Sequence, residues 1–324
     1  MRDSAEALVH IENFTMRFGK QTVIDDLSFD INRGETFGFL GSNGSGKTTT
    51  IRALLGIYQP TAGVLHIDGK PFSPEDSGSL GYLPEERGLY KKESVIDVMV
   101  YFGRLKGLGH QAARDWSMAY LERVALADKA AVRLDKLSGG QQQKVQLGVT
   151  IMNKPELLIL DEPTKGFDPV NRRLLMDIIE DQKKAGATVM MVTHQMEEVE
   201  RLCDRVILLK NGRAEAYGTI GEVQDQYGGA IIRLRYSGGN VPPSRHYAIS
   251  LQQTNYAELA LTDDADQSVI LRELVDAGVQ VREFTTSKLS LDDIFVRVYG
   301  EENDAEESTG TTPSRKPRTR KWGR

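Results

Sequence analysis

The sequence predicts an α/β protein with a mixed sheet core, an antiparallel β portion and a helical subdomain, followed by a small α+β C-terminal domain. Three observations predict it. The apolar run Thr36-Phe37-Gly38-Phe39-Leu40 leads into Gly41-Ser42-Asn43-Gly44-Ser45-Gly46-Lys47-Thr48 and then into helix-like residues 49–55. That is the strand, glycine loop and helix order of a phosphate cradle. Short apolar runs at 157–160 and 188–192 alternate with helical stretches, the pattern of buried parallel strands with ligands at their C-terminal ends. Beyond about Gly221 the texture shifts to short strands and helices around the turn-rich residues 238–243.

Taken in order, residues 8–14 and 27–31 alternate like half-buried strands, with an aromatic–glycine turn at 16–20 between them. Residues 64–69 read as a strand ending in a turn, and from Glu93 to about Ala127 the pattern is helical. Ser94 is placed to cap residues 95–102, and Trp116 to Val124 forms a second amphipathic segment. A helix is expected from Gln142 to Met152, stopped at Lys154-Pro155. Asp168-Pro169 supplies a cap and first-turn proline for residues 170–184, and a further helix runs from Gln195 to about Leu202. Residues 205–210 then meet Asn211-Gly212, the strongest two-residue hairpin signal. In the last third, residues 231–236 and 279–284 read as strands, and 269–276 and 291–298 as short helices.

The end of the chain splits into an acidic run (Glu301, Glu302, Asp304, Glu306, Glu307) and a basic one (Arg315, Lys316, Arg318, Arg320, Lys321, Arg324). Both have the composition of disordered segments. The expected organisation is a first domain over 1–220 with its helical subdomain at about 86–150, an accessory domain over 221–300, and a charged tail over 301–324.

Whole-chain properties bound the function. A length of 324 residues suffices for one large core and a smaller second domain. A net charge of -5 and a pI near 5.7 argue against a general nucleic-acid binder, which needs a basic surface. One cysteine, Cys203, makes no internal disulfide and fits a reducing compartment. No apolar stretch approaches the roughly 20 residues of a bilayer span, and the first residues carry acids where a signal peptide is apolar. A soluble, intracellular chain is expected, able to attach to a membrane through a partner.

The chemistry begins at the cradle. Glycines let backbone N–H groups converge on the phosphates of a nucleoside triphosphate, the following helix adds positive potential, Lys47 neutralises phosphate charge, and the Thr48 hydroxyl suits Mg²⁺. Hydrolysis also needs a carboxylate for Mg²⁺ and a group to activate water. The apolar strand ending in Asp161-Glu162 offers both, Asp161 for the ion and Glu162 as general base. His194, after the next apolar strand, is a candidate to orient the attacking water. Leu137-Ser138-Gly139-Gly140-Gln141 opens a helix with a serine and two glycines, a second backbone anion site.

Cradle, Leu-Ser-Gly-Gly-Gln, apolar strand with Asp-Glu and a later His, in that order, resemble the ATP-binding subunits of ABC transporters over residues 8–218. The resemblance implies that Phe18 stacks on adenine, and that Gly44, Gly46, Lys47, Thr48 and Thr49 belong to the phosphate and Mg²⁺ loop. It also implies that Ser138, Gly139 and Gly140 bind the γ-phosphate held by an opposite subunit, that Glu162 is the base, that Asp168 communicates across the dimer, and that His194 is the switch histidine. A head-to-tail dimer with two sandwiched ATP molecules follows, homodimeric or heterodimeric. Two positions depart from the pattern: Glu85 stands where the family has a Mg²⁺-contacting glutamine, and Lys165-Gly166-Phe167-Asp168 replaces Ser-Gly-Leu-Asp. Glu85, the following Arg87-Gly88-Leu89-Tyr90 and the small C-terminal domain resemble ATPases of ABC-2 type exporters. The implied setting is the cytoplasmic face of the cell membrane, docked on a separate permease through the helical segment after Glu85. A soluble ABC ATPase uncoupled from transport and an ATP-dependent regulatory scaffold are the alternatives. The chain's single cassette argues against the first, and Glu162 with His194 against the second.

Overall fold

The computed structural model describes residues 7–86, 88–227, 230–262 and 265–309, with side chains through residue 300. Arg87 and the basic run at 315–324 lie outside the described residues. The chain divides into two compact units, Met1–Gly229 and Ala230–Arg324.

The first unit opens with β1 (Ala7–Phe18) and β2 (Gln21–Asn32), and continues through β3 (Thr36–Gly41), α1 (Lys47–Leu54), β4 (Ala62–Ile67) and β5 (Leu80–Leu83). Strands β2, β1 and β4 form an antiparallel sheet in that order. β1 carries on through Phe18, so the turn expected at 16–20 tightens to Gly19-Lys20. Its pairing is broken by irregularities near Asn13, which takes a left-handed φ of 49°, and the strand then resumes. Phe14, Ile24 and Leu27 from this sheet pack with Phe37, Phe39, Ile51, Leu54, Met190 and Ile207 in one buried cluster, which anchors the end of β3.

Next come α2 (Val95–Leu105), α3 (His110–Arg123), α4 (Gly139–Ile151) and β6 (Leu157–Asp161). Ser94 caps α2, its hydroxyl accepting from the Asp97 N–H. α3 starts six residues before Trp116, and α4 three residues before Gln142. In α4 the Ser138 hydroxyl accepts from the Gln141 N–H while the Gln141 side chain accepts from the Ser138 N–H. This reciprocal cap holds two glycines in helical conformation despite their poor propensity.

The unit closes with α5 (Pro169–Lys184), β7 (Thr188–Val192), α6 (Met196–Leu202), β8 (Arg205–Lys210), β9 (Arg213–Thr219) and α7 (Ile220–Gln226). The central sheet has the order β5-β6-β7-β3-β8-β9, parallel except for β9. β6 and β7 are buried at every residue, as their unbroken apolar runs demand. Asn211 and Gly212, at φ 50° and 78°, make the β8–β9 turn. α7, which follows the boundary expected at 220–221, packs on β8 and β9 and buries Val223.

The second unit contains β10 (Ala230–Ser237), β11 (Tyr247–Gln253), β12 (Tyr256–Leu261), α8 (Gln267–Asp276), β13 (Gln280–Lys288) and α9 (Leu291–Thr309). Its antiparallel sheet runs β11-β12-β10-β13, and Ile232, Leu234, Leu259, Ile270 and Leu274 form its core. The β11–β12 hairpin has no counterpart among the elements expected from sequence. The acidic run expected to be disordered continues the backbone of α9, in keeping with the good helix propensity of Glu and Ala.

Candidate nucleotide site

The cradle is a loop with no spare room at its two ends. A Cβ on Gly41 would lie 2.4 Å from Ser45 Oγ and 2.6 Å from the Leu209 carbonyl oxygen. Gly46 caps α1 at φ 108°, with Ile24 Cδ1 2.3 Å from where a Cβ would sit. Between them Ser42, Asn43, Gly44 and Ser45 turn the chain. Lys47 Nζ donates to the carbonyls of Gly41 at 2.7 Å and Ser42 at 2.9 Å, closing the loop over its own backbone. The β8–β9 turn supports it from below, the Gly212 N–H donating to the Ser45 carbonyl at 3.2 Å. Thr48 is exposed and Thr49 half-buried at the start of α1, while Thr50 faces inward and bonds the Gly46 carbonyl. Burial lowers the Lys47 ammonium's pKa; Glu162, Asp161 and Glu85 oppose that shift, so the cation sits in the field of three carboxylates.

Those carboxylates gather at the C-terminal ends of β5 and β6. Asp161 is the last residue of β6, and its carboxyl is pushed up to about 6 by burial and by the charges of Glu85 and Glu162, with Lys47 and Arg52 pulling the other way. Glu162 adopts a left-handed φ of 50°, and its N–H bonds the Val192 carbonyl at 2.8 Å. That region is uncommon for a non-glycine residue such as Glu162 and turns the chain sharply at the end of β6. Its side chain is 11% exposed; Oε1 lies 2.8 Å from His194 Nδ1, and Oε2 is buried with no hydrogen-bond partner. His194 follows β7 and is itself exposed. The sheet therefore brings Lys47, Asp161, Glu162 and His194 to one edge.

Behind this edge, Thr164 Oγ1 donates to the buried Glu198 Oε1 at 2.6 Å, and Arg172 Nε lies 3.6 Å from the same oxygen. Burial raises the Glu198 carboxyl, and Thr164 and Arg172 hold it back. This contact ties the segment after Glu162 to α6, the helix after His194. Glu85 accepts from Lys165 Nζ at 2.6 Å, and the neighbouring Glu86 carbonyl accepts from Gln146 Nε2 of α4 at 3.3 Å. Sequence patterns give no signal for Thr164, Gln146 or Glu198 as parts of the site. Glu85 and Lys165 each stand out as a departure from the pattern of the resembled family, but their pairing does not.

The remaining expected residues lie elsewhere on the unit. Phe18 is exposed at the end of β1, edge-on to Tyr58 with ring centroids 5.4 Å apart, so a second ring accompanies it. Leu137 is buried, Ser138 exposed, and Ser138 bonds within its own helix start, to Gln141 and through its carbonyl to the Gln142 N–H. Gly139 opens α4. A Cβ on Gly140 would stand 3.3 Å from the buried Phe167 ring, which packs the segment after β6 against the start of α4. Asp168 caps α5, accepting from the Val170 and Asn171 N–H groups at 3.0 Å. Hydrogen bonds from the Asn171 backbone and side chain, then from the Val170 backbone, lower its pKa.

Among the described residues no three His, Cys, Asp or Glu side chains cluster closely enough to hold an ion alone. Magnesium is typically held by one or two carboxylates plus nucleotide phosphates. The hard-oxygen set of Thr48, Asp161 and Glu85 suits that mode, and the Asp161 carboxyl, raised first by burial and then by Glu85 and Glu162, is a group whose charged form a divalent cation favours. No helix among the described residues is long and apolar enough to cross a membrane.

Known families and proteins resemble both units of the chain. A family described as ABC transporter matches residues 24–165, and one described as the C-terminal domain of DrrA1-3-like ATP-binding proteins matches residues 218–299. The uncharacterized ABC transporter ATP-binding protein YhaQ of Bacillus subtilis (strain 168) is 36% identical over 296 residues, covering 90% of this chain and 99% of that one. The Nod factor export ATP-binding protein I of Rhizobium sp. (strain N33) is 34% identical over 292 residues, covering 88% of this chain and 94% of that one. A solved structure of the ATP-binding subunit of an ABC transporter superposes with a TM-score of 0.64 at 28% identity, covering 68% of this chain and 93% of that one. The chain belongs to the ABC transporter ATP-binding protein family.

Proposed function

We propose that this chain, an ATP-hydrolysing energy-coupling subunit, drives an ABC-2 type exporter through a separate membrane permease. The observation that carries the catalytic part is the meeting of the Lys47 cradle with the Glu162–His194 pair at one sheet edge. The DrrA-like C-terminal match and the export relative support the exporter part.

In this reading the cradle N–H groups and Lys47 bind the triphosphate, and Phe18 offers a ring face to adenine. Glu162 is the general base: His194 holds its carboxylate through one oxygen, and the carboxylate accepts a proton from the attacking water. Mg²⁺, when bound, neutralises phosphate charge; Thr48, Asp161 and Glu85 would hold it. Ser138, Gly139 and Gly140 serve the ATP of a second ATP-binding subunit, another copy of this chain or a relative, with Asp168 at the junction. ATP closes that dimer and hydrolysis reopens it.

Tyr90, Tyr101 and Leu105 are exposed, and Tyr90 and Tyr101 make ring contacts with each other and with Phe102, giving the permease an apolar docking surface beside α2. Docking there places the chain on the cytoplasmic face of the membrane. The reading is tested by ATPase assay of Glu162→Gln and Lys47→Ala reconstituted with the permease. Glu162→Gln should retain ATP binding and lose turnover, and Lys47→Ala should lose both. Wild-type turnover in Glu162→Gln would remove the base assignment.

A further inference from the structure

We propose that Lys165 is the counter-cation that makes a glutamate usable at position 85, so that the Glu85–Lys165 pair acts as one neutral unit beside the triphosphate. The inference rests on the ATP reading of the cradle given above. Three carboxylates, Glu85, Asp161 and Glu162, bear on the same ammonium, that of Lys47. A triphosphate entering there brings several more negative charges. Like charges at such separations in a partly desolvated cleft repel strongly enough to weaken binding.

Lys165 is placed to offset the most exposed of the three. Its Nζ lies 2.6 Å from Glu85 Oε1. The turn that presents it is built locally, with the Lys165 N–H bonded to the Glu162 carbonyl at 3.2 Å and the Phe167 N–H to the Thr164 carbonyl at 3.1 Å, and Gly166 at φ 76°. Phe167 against α4 and Thr164 against Glu198 hold the two sides of Lys165 in place. The Glu85 side is fixed by the Gln146 bond to the Glu86 carbonyl. Both ends of the pair are thus positioned by buried neighbours, although the ion pair itself is half exposed.

The charges of Glu162 and Asp161 reach Lys165 as well. Lys165 therefore stabilises the acidic edge as a whole, with Glu85 its direct partner. A glutamine in place of Glu85 would need no such cation, and a serine in place of Lys165 would leave Glu85 unpaired. Lys165 is a positioning residue: it touches Glu85, not the nucleotide.

The test is a thermodynamic cycle read as ATP affinity, by isothermal titration with ATP in EDTA and again with Mg²⁺, on wild type, Lys165→Ser, Lys165→Arg, Glu85→Gln and the double variant that joins Glu85→Gln with Lys165→Ser. In EDTA, Lys165→Ser should weaken ATP binding roughly three- to five-fold, the range of a half-exposed ion pair. Lys165→Arg should restore it, and once Glu85→Gln is in place Lys165→Ser should cost nothing further. With Mg²⁺ present the loss should shrink, because the ion takes over the neutralising role. Equal losses with and without Glu85→Gln, or no loss in either case, would overturn the inference. If wild type bound ATP no better than Lys47→Ala, the reading it rests on would fall with it.

Discussion

The cradle at Gly41–Thr48 and the signature at Leu137–Gln141 are both glycine-rich helix openings, yet they are built in opposite ways. The cradle is enclosed: Gly41 and Gly46 have atoms within 2.4 Å of any added Cβ, Ser45 is buried, and Lys47 folds over the loop. The signature is open. Ser138 is exposed and caps its own helix, and beside Gly140 there is only a ring edge at 3.3 Å. The cradle's glycines are required by its own packing. Gly140 is held less closely than either cradle glycine, a difference that suits the two-subunit site proposed above.

The largest expected effect separates binding from chemistry within the cradle's own half. Glu162→Gln should reduce ATP turnover about 10²–10⁴-fold, the usual worth of a general base, with ATP affinity unchanged by titration. The glycines come next. Gly41→Ala should destabilise the fold by about 1–3 kcal/mol in urea unfolding, because neither the Leu209 carbonyl nor Ser45 has space to yield. Gly140→Ala, which gains helix propensity but presses on the buried Phe167 ring, should destabilise less than Gly41→Ala, yet lose turnover in the assembled transporter. A large stability loss in Gly140→Ala would mean that the signature is constrained from within after all.

Ser138→Ala should cost about 1 kcal/mol of stability through its lost cap and leave the affinity of the isolated subunit for ATP unchanged, measured by the same titration. The smallest effect concerns the far end of α4. Lys106 Nζ donates to the Thr150 carbonyl and to Asn153 Oδ1 at 2.9 Å, and burial pushes its ammonium down to about 8 from 10.5. Between those values the unfolded chain binds more protons than the folded one, so this group's contribution to stability rises with pH there. Wild type should gain on Lys106→Met in urea unfolding as the pH climbs through that window, and run parallel to it at more acidic pH. A parallel course throughout would show that Lys106 is not desolvated.

What can be read from sequence follows local rules. The cradle, the Asp168-Pro169 helix start, the Asn211-Gly212 turn and the two all-buried strands ending at Asp161 and Val192 each announce themselves in a few adjacent residues. The start of α4 is harder to place because Gly139 and Gly140 weigh against helix, although the Ser138–Gln141 spacing of a capping box is there to see. The contacts that join the pieces are out of reach. Glu85 meets Lys165 across 80 positions and Thr164 meets Glu198 across 34, and no pattern within a single segment encodes such pairs. The β11–β12 hairpin is hidden for a related reason: β11 is exposed along nearly its whole length and carries little periodic signal.

The central claim is that a cradle in one copy works with a signature in another. It is tested most directly by mixing two inactive chains with the permease, one carrying Lys47→Ala and the other Ser138→Arg. The first keeps a sound signature and the second a sound cradle. If the site is composite and formed by two copies, the mixture should recover a substantial fraction of wild-type ATP turnover while each variant alone stays silent. A mixture as inactive as its components would contradict the account.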